Sequence, residues 1–123
     1  EIKIGYNINL DENNISEISS VTKDLLQMIN AKGILLTFSE KGVCMQTADN
    51  FTHTKAEKRN IIDVSGAGDT VISTAALCLA AKTDSVILSQ FANLAGGLVC
   101  EKVGVVPIEK SLLLTSAMSY FTN

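Results

Sequence analysis

Between Ile61 and Val71 the chain reads IIDVSGAGDTV, a β-branched apolar run that meets a Gly-Ala-Gly turn and then, at once, an acid. This order predicts a strand delivering the chain into a helix start, where unpaired backbone N–H groups and the helix dipole favour a bound anion. Phosphate is the natural candidate. Asp69 stands where that phosphate would dock and would repel it, unless the carboxylate has a task such as accepting a proton from the attacking group. The spacing therefore suggests phosphoryl transfer. The competing reading is ordinary capping, in which Ser65 and Asp69 cap and charge the first turn for stability alone. Two other phosphate-binding readings fail on spacing. A dinucleotide fingerprint needs a third glycine where Val71 stands, and a Walker loop needs four residues between its glycines followed by Lys-Ser or Lys-Thr.

The surrounding pattern is that of an α/β unit. Ile15, Ile18, Val21, Leu25, Met28 and Ile29 recur at helical spacing behind Asn14, with Glu17 as capping-box partner and Gly33 as a stop, which predicts a helix over 14–32. Ile34 to Ser39 suits a buried strand, and Glu40-Lys41-Gly42 turns it into a second strand over Val43 to Thr47. A turn at Ala48-Asp49-Asn50 leads to a weak strand over Phe51 to Ala56, before the strand ending near Val64. Helices follow over 67–81, 85–101 and 107–121, with start signals at Asp84-Ser85 and Pro107 and a stop at Gly104. No repeat or interdomain linker divides residues 1–123, so they read as one unit.

Composition bounds the function classes. At 123 residues the chain can bury roughly two-thirds of its unfolded surface, and 46% hydrophobic residues supply a core. A net charge of −3 and a pI near 5.0 argue against a nucleic-acid surface or a polybasic membrane patch. Cys44, Cys78 and Cys100 are odd in number and lack C-x-x-C pairing, which favours buried free thiols over disulfides or zinc. The longest apolar run, Val71 to Ala81, is too short to span a bilayer, and the expected location is the cytoplasm. His53 has no neighbouring ligand set and is expected to sit exposed.

The stretch Asp63-Val64-Ser65-Gly66-Ala67-Gly68-Asp69-Thr70 resembles the second signature, D-x-x-G-A-G-D, of the PfkB or ribokinase-like carbohydrate kinases. Its continuation GAGDTVI, with FANLAGGLVCEKVG from Phe91 to Gly104, is most similar to the heptose 7-phosphate kinase domain of ADP-heptose synthases. Thr74, where many sugar kinases have Gly or Ala, fits that subgroup. The resemblance implies that Asp69 is the base taking the proton from a sugar hydroxyl. It also implies that the amides of Gly66, Ala67 and Gly68 form the anion hole for the phosphoryl group in transfer. Thr37, Ser39, Glu40 and Gly42 match the segment beside the ATP phosphates and ribose. Asn93 matches an asparagine near the adenine, and Gly96-Gly97 would admit a flat ring closely; tight helix packing is the alternative. Asp63 and Ser65 fall on positions that contribute to a monovalent cation site for K⁺, although Asp63 could instead brace the turn.

The implied cofactors are ATP and Mg²⁺, and the implied partners are a nucleotide and a sugar phosphate. The resemblance covers about residues 15–108 and corresponds to the C-terminal portion of a ribokinase-like three-layer fold. The sugar-binding N-terminal half and its lid have no counterpart in these residues, nor has the N-x-x-E motif that organises Mg²⁺, for which a place just before Glu1 stays open. Glu1 to Ile8 read as though a longer protein had been entered midway. The chain alone is therefore expected to be inactive. It is expected to await the missing half or to form a homo-oligomer through an exposed apolar edge.

Overall fold

The computed structural model describes Gly5 and residues 10–122, so the reading of Glu1 to Ile8 lies outside the described residues. Helix α1 covers Ile15–Met28 and opens where the sequence predicts: the Asn14 side chain accepts the Glu17 N–H at 3.2 Å. Such a cap contributes about 1 kcal/mol. The helix stops four residues before the predicted end, and Gly33 is not what stops it. Asn30 adopts φ +52 and donates to the Gln27 carbonyl, while the Ala31 N–H reaches back to Leu26, closing the last turn in a Schellman arrangement.

A three-stranded antiparallel sheet follows, ordered β1 (Gly33–Thr37), β2 (Val43–Thr47) and β3 (Phe51–Thr54), with a 3₁₀ turn at Ser39–Lys41 between the first two. Its register sets Leu36 against Cys44 and Leu35 against Met45. Strand alternation therefore sends Cys44 and Leu36 towards Leu10 and Ile18 on the α1 side, and Leu35 towards the opposite helices. The central strand β2 is buried from Val43 to Gln46 because both faces are covered. On the α1 face Thr22 donates to Gln46 at 3.2 Å, and on the other face Thr54 and Ser89 share a hydrogen bond at 3.3 Å. The result is a three-layer α/β arrangement.

The second helical layer consists of α2 (Ala67–Ala80), α3 (Ser85–Val99) and α4 (Lys110–Thr122). Asp84 caps α3, accepting from Val86 and Ile87 as the sequence predicts. Helices α2 and α3 pack through Val71, Ala75, Cys78, Leu88 and Ala92. Their approach is close at Gly96, where a Cβ would come within 2.6 Å of a Val71 methyl. Helix α4 starts three residues after Pro107, later than predicted, with the Leu113 N–H bonded to the Glu109 carbonyl.

The strand predicted to end near Val64 does not form. Residues 55–64 run without a ladder because no strand lies beside them among the described residues, and the N–H groups of Ile62 and Asp63 both turn to the Cys100 carbonyl, at 2.8 and 3.2 Å. Ile61, Ile62 and Val64 remain exposed. All three cysteines are buried and free, and burial pushes the Cys44 thiol up to about 11. Among the described residues no helix is long and apolar enough to cross a membrane.

Candidate active site

The turn that opens α2 is built on Gly66. Its φ of +78 is a left-handed conformation that glycine adopts without penalty, and a Cβ there would stand 2.9 Å from a Val105 methyl. Gly66 is itself the N-cap, so no side chain satisfies the first amides of the helix. Ser65 does not cap it, which removes the capping role the sequence left open for that residue. Thr70 closes the first turn, its N–H and hydroxyl both donating to the Gly66 carbonyl at 3.0 and 3.1 Å.

The resemblance implies three amide donors for an anion here, those of Gly66, Ala67 and Gly68, and the structure shows one of the three engaged within the turn. The Ala67 N–H is engaged with the Val64 carbonyl at 3.2 Å, because the turn closes through it. Among the described residues the amides of Gly66, Gly68 and Asp69 meet no acceptor. Asp69's own amide is thus also unengaged, as its place at the third helical position predicts. Gly68 faces open space, with nothing within 4 Å of a Cβ built on it, and the Asp69 side chain is exposed. Asp69 lines neither of the two principal cavities. The larger, about 390 Å³, lies between the start of α1 and the hairpin, lined by Asn13, Phe38, Glu40, Lys41, His53 and Lys55 among others.

Asp63 braces this turn from below. One carboxylate oxygen accepts the Ser65 N–H at 2.9 Å and the other the Gly104 N–H at 2.9 Å, tying the turn to the loop after α3. Donation from the Ser65 hydroxyl, then from the Ser65 and Gly104 amides, holds the Asp63 carboxyl below the usual carboxylate range. A lowered native pKa stabilises the fold fully above the ordinary value of about 3.9, and that contribution is lost as pH falls through the native value. Asp63→Asn is therefore expected to be less stable than the parent at pH 7 in urea melts. The gap should narrow as pH falls through the lowered native value and the carboxylate takes up its proton; a gap unchanged by acid would mean that the carboxylate charge is not what braces the turn.

Asn93 and Gly97 lie on one stripe of α3, but the chain itself already uses them. The Asn93 side-chain amide donates to the Lys55 carbonyl at 3.0 Å. Above Gly97 lies Arg59, whose Cδ and Nε would stand 3.1 Å from a Cβ at that glycine. The Arg59 side chain is 15% exposed, and its guanidinium is held by Glu57 and by Glu101, the latter at 3.2 Å. With Cys100 and Gly104 completing the stripe, residues 55–63 are laid along α3 like a strap leading into the Gly66 turn. Gly96 packs on Val71 and Gly97 under Arg59, so close packing accounts for both glycines.

The hairpin residues divide in the same way. Thr37, Ser39 and Glu40 are exposed at the turn, while Gly42 is buried with φ +93 against the backbone of Thr54 to Ala56. Gly42, Lys55 and Asn93 therefore form one contiguous run from hairpin to strap to α3. His53 is half-buried rather than exposed, its Nε2 donating to the Lys41 carbonyl at 2.8 Å. Among the described residues no three His, Cys, Asp or Glu side chains converge as a metal site would require.

Comparison with known proteins identifies the family and the fold. The profile of the pfkB family carbohydrate kinases matches residues 4–111. The bifunctional protein HldE of Koribacter versatilis is 36% identical over 107 residues, which cover 87% of this chain and 22% of that protein. The chain thus spans about a fifth of the length of the curated relatives it matches. Phosphofructokinase-2 from Escherichia coli, in complex with potassium, superposes on the whole chain with a TM-score of 0.86 at 15% identity, the match covering 39% of that protein. A ribokinase II candidate from Escherichia coli, bound to ATP and Mg²⁺, matches 72% of this chain and 30% of its own at a TM-score of 0.67 and 20% identity. These likenesses establish a ribokinase-like fold.

Proposed function

The chain belongs to the pfkB family of carbohydrate kinases, and on that premise we propose that it is the catalytic, nucleotide-binding portion of an enzyme that phosphorylates a sugar or sugar phosphate with ATP. The acceptor is proposed to be D-glycero-D-manno-heptose 7-phosphate, in cytoplasmic synthesis of ADP-heptose for the lipopolysaccharide core. The observation that carries this reading is the uncapped start of α2, where free amides at Gly66 and Gly68 stand beside the carboxylate of Asp69.

Those amides are fixed by the turn before any ligand arrives, so they stabilise charge spread over the phosphoryl oxygens with little reorganisation. Asp69 collects the proton of the attacking hydroxyl. It is a weak base towards a ground-state alcohol and an adequate one once attack has acidified that hydroxyl. Thr37, Ser39 and Glu40 line the nucleotide groove, and Asn93 and Gly97 support it through the strap they hold. Mg²⁺, when bound with the nucleotide, supplies neutralisation of phosphate charge. K⁺ would share the carboxylate of Asp63 and the region of Ser65 with the amides already bound there. The groups that grip the sugar lie outside this chain, which alone is inactive.

Titration calorimetry of the chain with ATP and Mg²⁺ tests the nucleotide site. At Gly68 a Cβ meets only open space, so Gly68→Val is expected to keep the parent's melting curve and to weaken ATP at least about tenfold by filling the phosphate approach. Binding unaffected by the valine, or no binding in the parent, would remove the anion hole from this turn. The exposure of Asp69 favours a second reading, a nucleotide-binding module without chemistry. Loss or retention of turnover on changing Asp69 in the longer enzyme separates the two.

A further inference from the structure

The strap over residues 55–63 is fastened to α3 at unequal intervals. At its start the Asn93 side-chain amide holds the Lys55 carbonyl, and at its end the Ile62 and Asp63 N–H groups share the Cys100 carbonyl. Between these points, among the described residues, no backbone hydrogen bond joins residues 56–61 to α3. One side chain spans the gap: Arg59 donates to Glu101, just past the end of the helix, at 3.2 Å, and also to Glu57 within the strap. Its stem lies over Gly97, where even a methyl group would crowd Cδ and Nε. A fully solvated ion pair would carry little consequence, but this side chain is only 15% exposed. The guanidinium is a rigid planar fork, so holding two carboxylates at once fixes where residue 59 stands as well as neutralising them.

From Arg59 the segment runs directly into the turn that opens α2. Asp63 sends one carboxylate oxygen to the Ser65 N–H and the other to the Gly104 N–H, and Gly66 then starts the helix at φ +78. Cys100, Glu101 and Gly104 thus hold neighbouring points of one stretch of chain, whose last part carries the unengaged amides of Gly66, Gly68 and Asp69. Fixed donors serve an anion by their fixity, so whatever fastens that stretch acts on the anion. We propose that Arg59 is a positioning residue for the phosphate site: clamped to Glu101, it sets the angle at which the Gly66 turn presents those three amides, without touching substrate itself. The setting of the turn stands on the geometry alone, and its consequence for ATP rests on the kinase reading.

Arg59→Met keeps a stem over Gly97 without the fork, and Glu101→Gln removes the charge of the far anchor. Both are tested in the 123-residue chain, by amide resonances recorded without ligand and by calorimetry with ATP and Mg²⁺ at a temperature where melting curves show each variant folded. The resonances of Gly66, Gly68 and Asp69, none of which bonds to Arg59, are expected to move in both variants. ATP is expected to bind about five- to tenfold more weakly in each, with the double variant no weaker than the worse single, because the two changes cut one link. Arg59→Lys, a point charge in place of a fork, should recover part of the affinity. A role in stability alone would move neither the resonances nor the affinity of the folded protein. Unmoved resonances, an affinity equal to the parent's, or losses that add in the double variant would each overturn the proposal. If the parent itself does not bind ATP, the kinase reading falls, and the resonances still decide whether Arg59 sets the turn.

Discussion

Asp69→Asn in the complete enzyme is expected to lower kcat by about a thousandfold, the middle of the range for losing a general base, and to leave the KM for ATP within about twofold. Asn keeps the size and the hydrogen-bonding reach of the carboxylate but cannot take up the proton of the attacking hydroxyl. The free amides of Gly66, Gly68 and residue 69 itself belong to the main chain, so the substitution leaves them in place. The loss should therefore fall on the chemical step, with about 4 kcal/mol added to its barrier and little taken from nucleotide binding. Steady-state kinetics with ATP and Mg²⁺, together with calorimetry on the same protein, read the two parts separately. Turnover within tenfold of the parent would take Asp69 out of the base role. A parallel loss of ATP affinity would instead mean that the side chain shapes the anion site rather than the proton path.

How far the sequence anticipates the structure depends on the range of the interactions involved. Asn14 and Asp84 are legible as caps because a cap bonds to amides two or three residues away. The hairpin is legible for the same reason. The end of α1 is not, because Asn30 takes a left-handed conformation that only Gly advertises plainly, and Lys82 does the same after α2. The β-branched run at residues 61–64 reads as a strand, but strand formation needs a neighbour that is not among the described residues. At the site itself, the Gly66 turn and the placing of Asp69 follow from local order. The engagement of the Ala67 amide depends on how tightly that turn closes. The strap depends on Arg59 meeting Glu101, 42 residues on, and no periodicity connects them. Once Arg59 is in place, Gly97 has a partner within the chain, and a glycine that resembles a ring-binding position turns out to admit a side chain.

Gly42 makes the same distinction testable, since the sequence assigns it both to the hairpin turn and to the nucleotide groove. Its φ of +93 with ψ near −140 belongs to a region only glycine occupies comfortably, and an L side chain there costs about 1–3 kcal/mol in strain. Space is the larger obstacle. A Cβ would lie 2.0 Å from the Thr54 carbonyl oxygen, 2.6 Å from the Ala56 nitrogen and 2.8 Å from the Lys55 carbonyl carbon. All three are backbone atoms, and no rotamer change can clear them. Relief requires the end of β3 and the start of the strap to move away, which strains the Asn93 bond to Lys55 and the 2.8 Å bond from Phe38 to the Gly42 carbonyl. Gly42→Ala is therefore expected to destabilise the chain by about 4 kcal/mol, a large share of the 5–15 kcal/mol typical of a domain, and to lower Tm by roughly 15 °C or more. Gly104→Ala is the control: its φ of +76 carries strain, but the space around it is open, so it should cost only about 1 kcal/mol. If Gly42→Ala melted like Gly104→Ala yet lost ATP in calorimetry, the glycine would serve the nucleotide, and the turn would have room that the structure denies it.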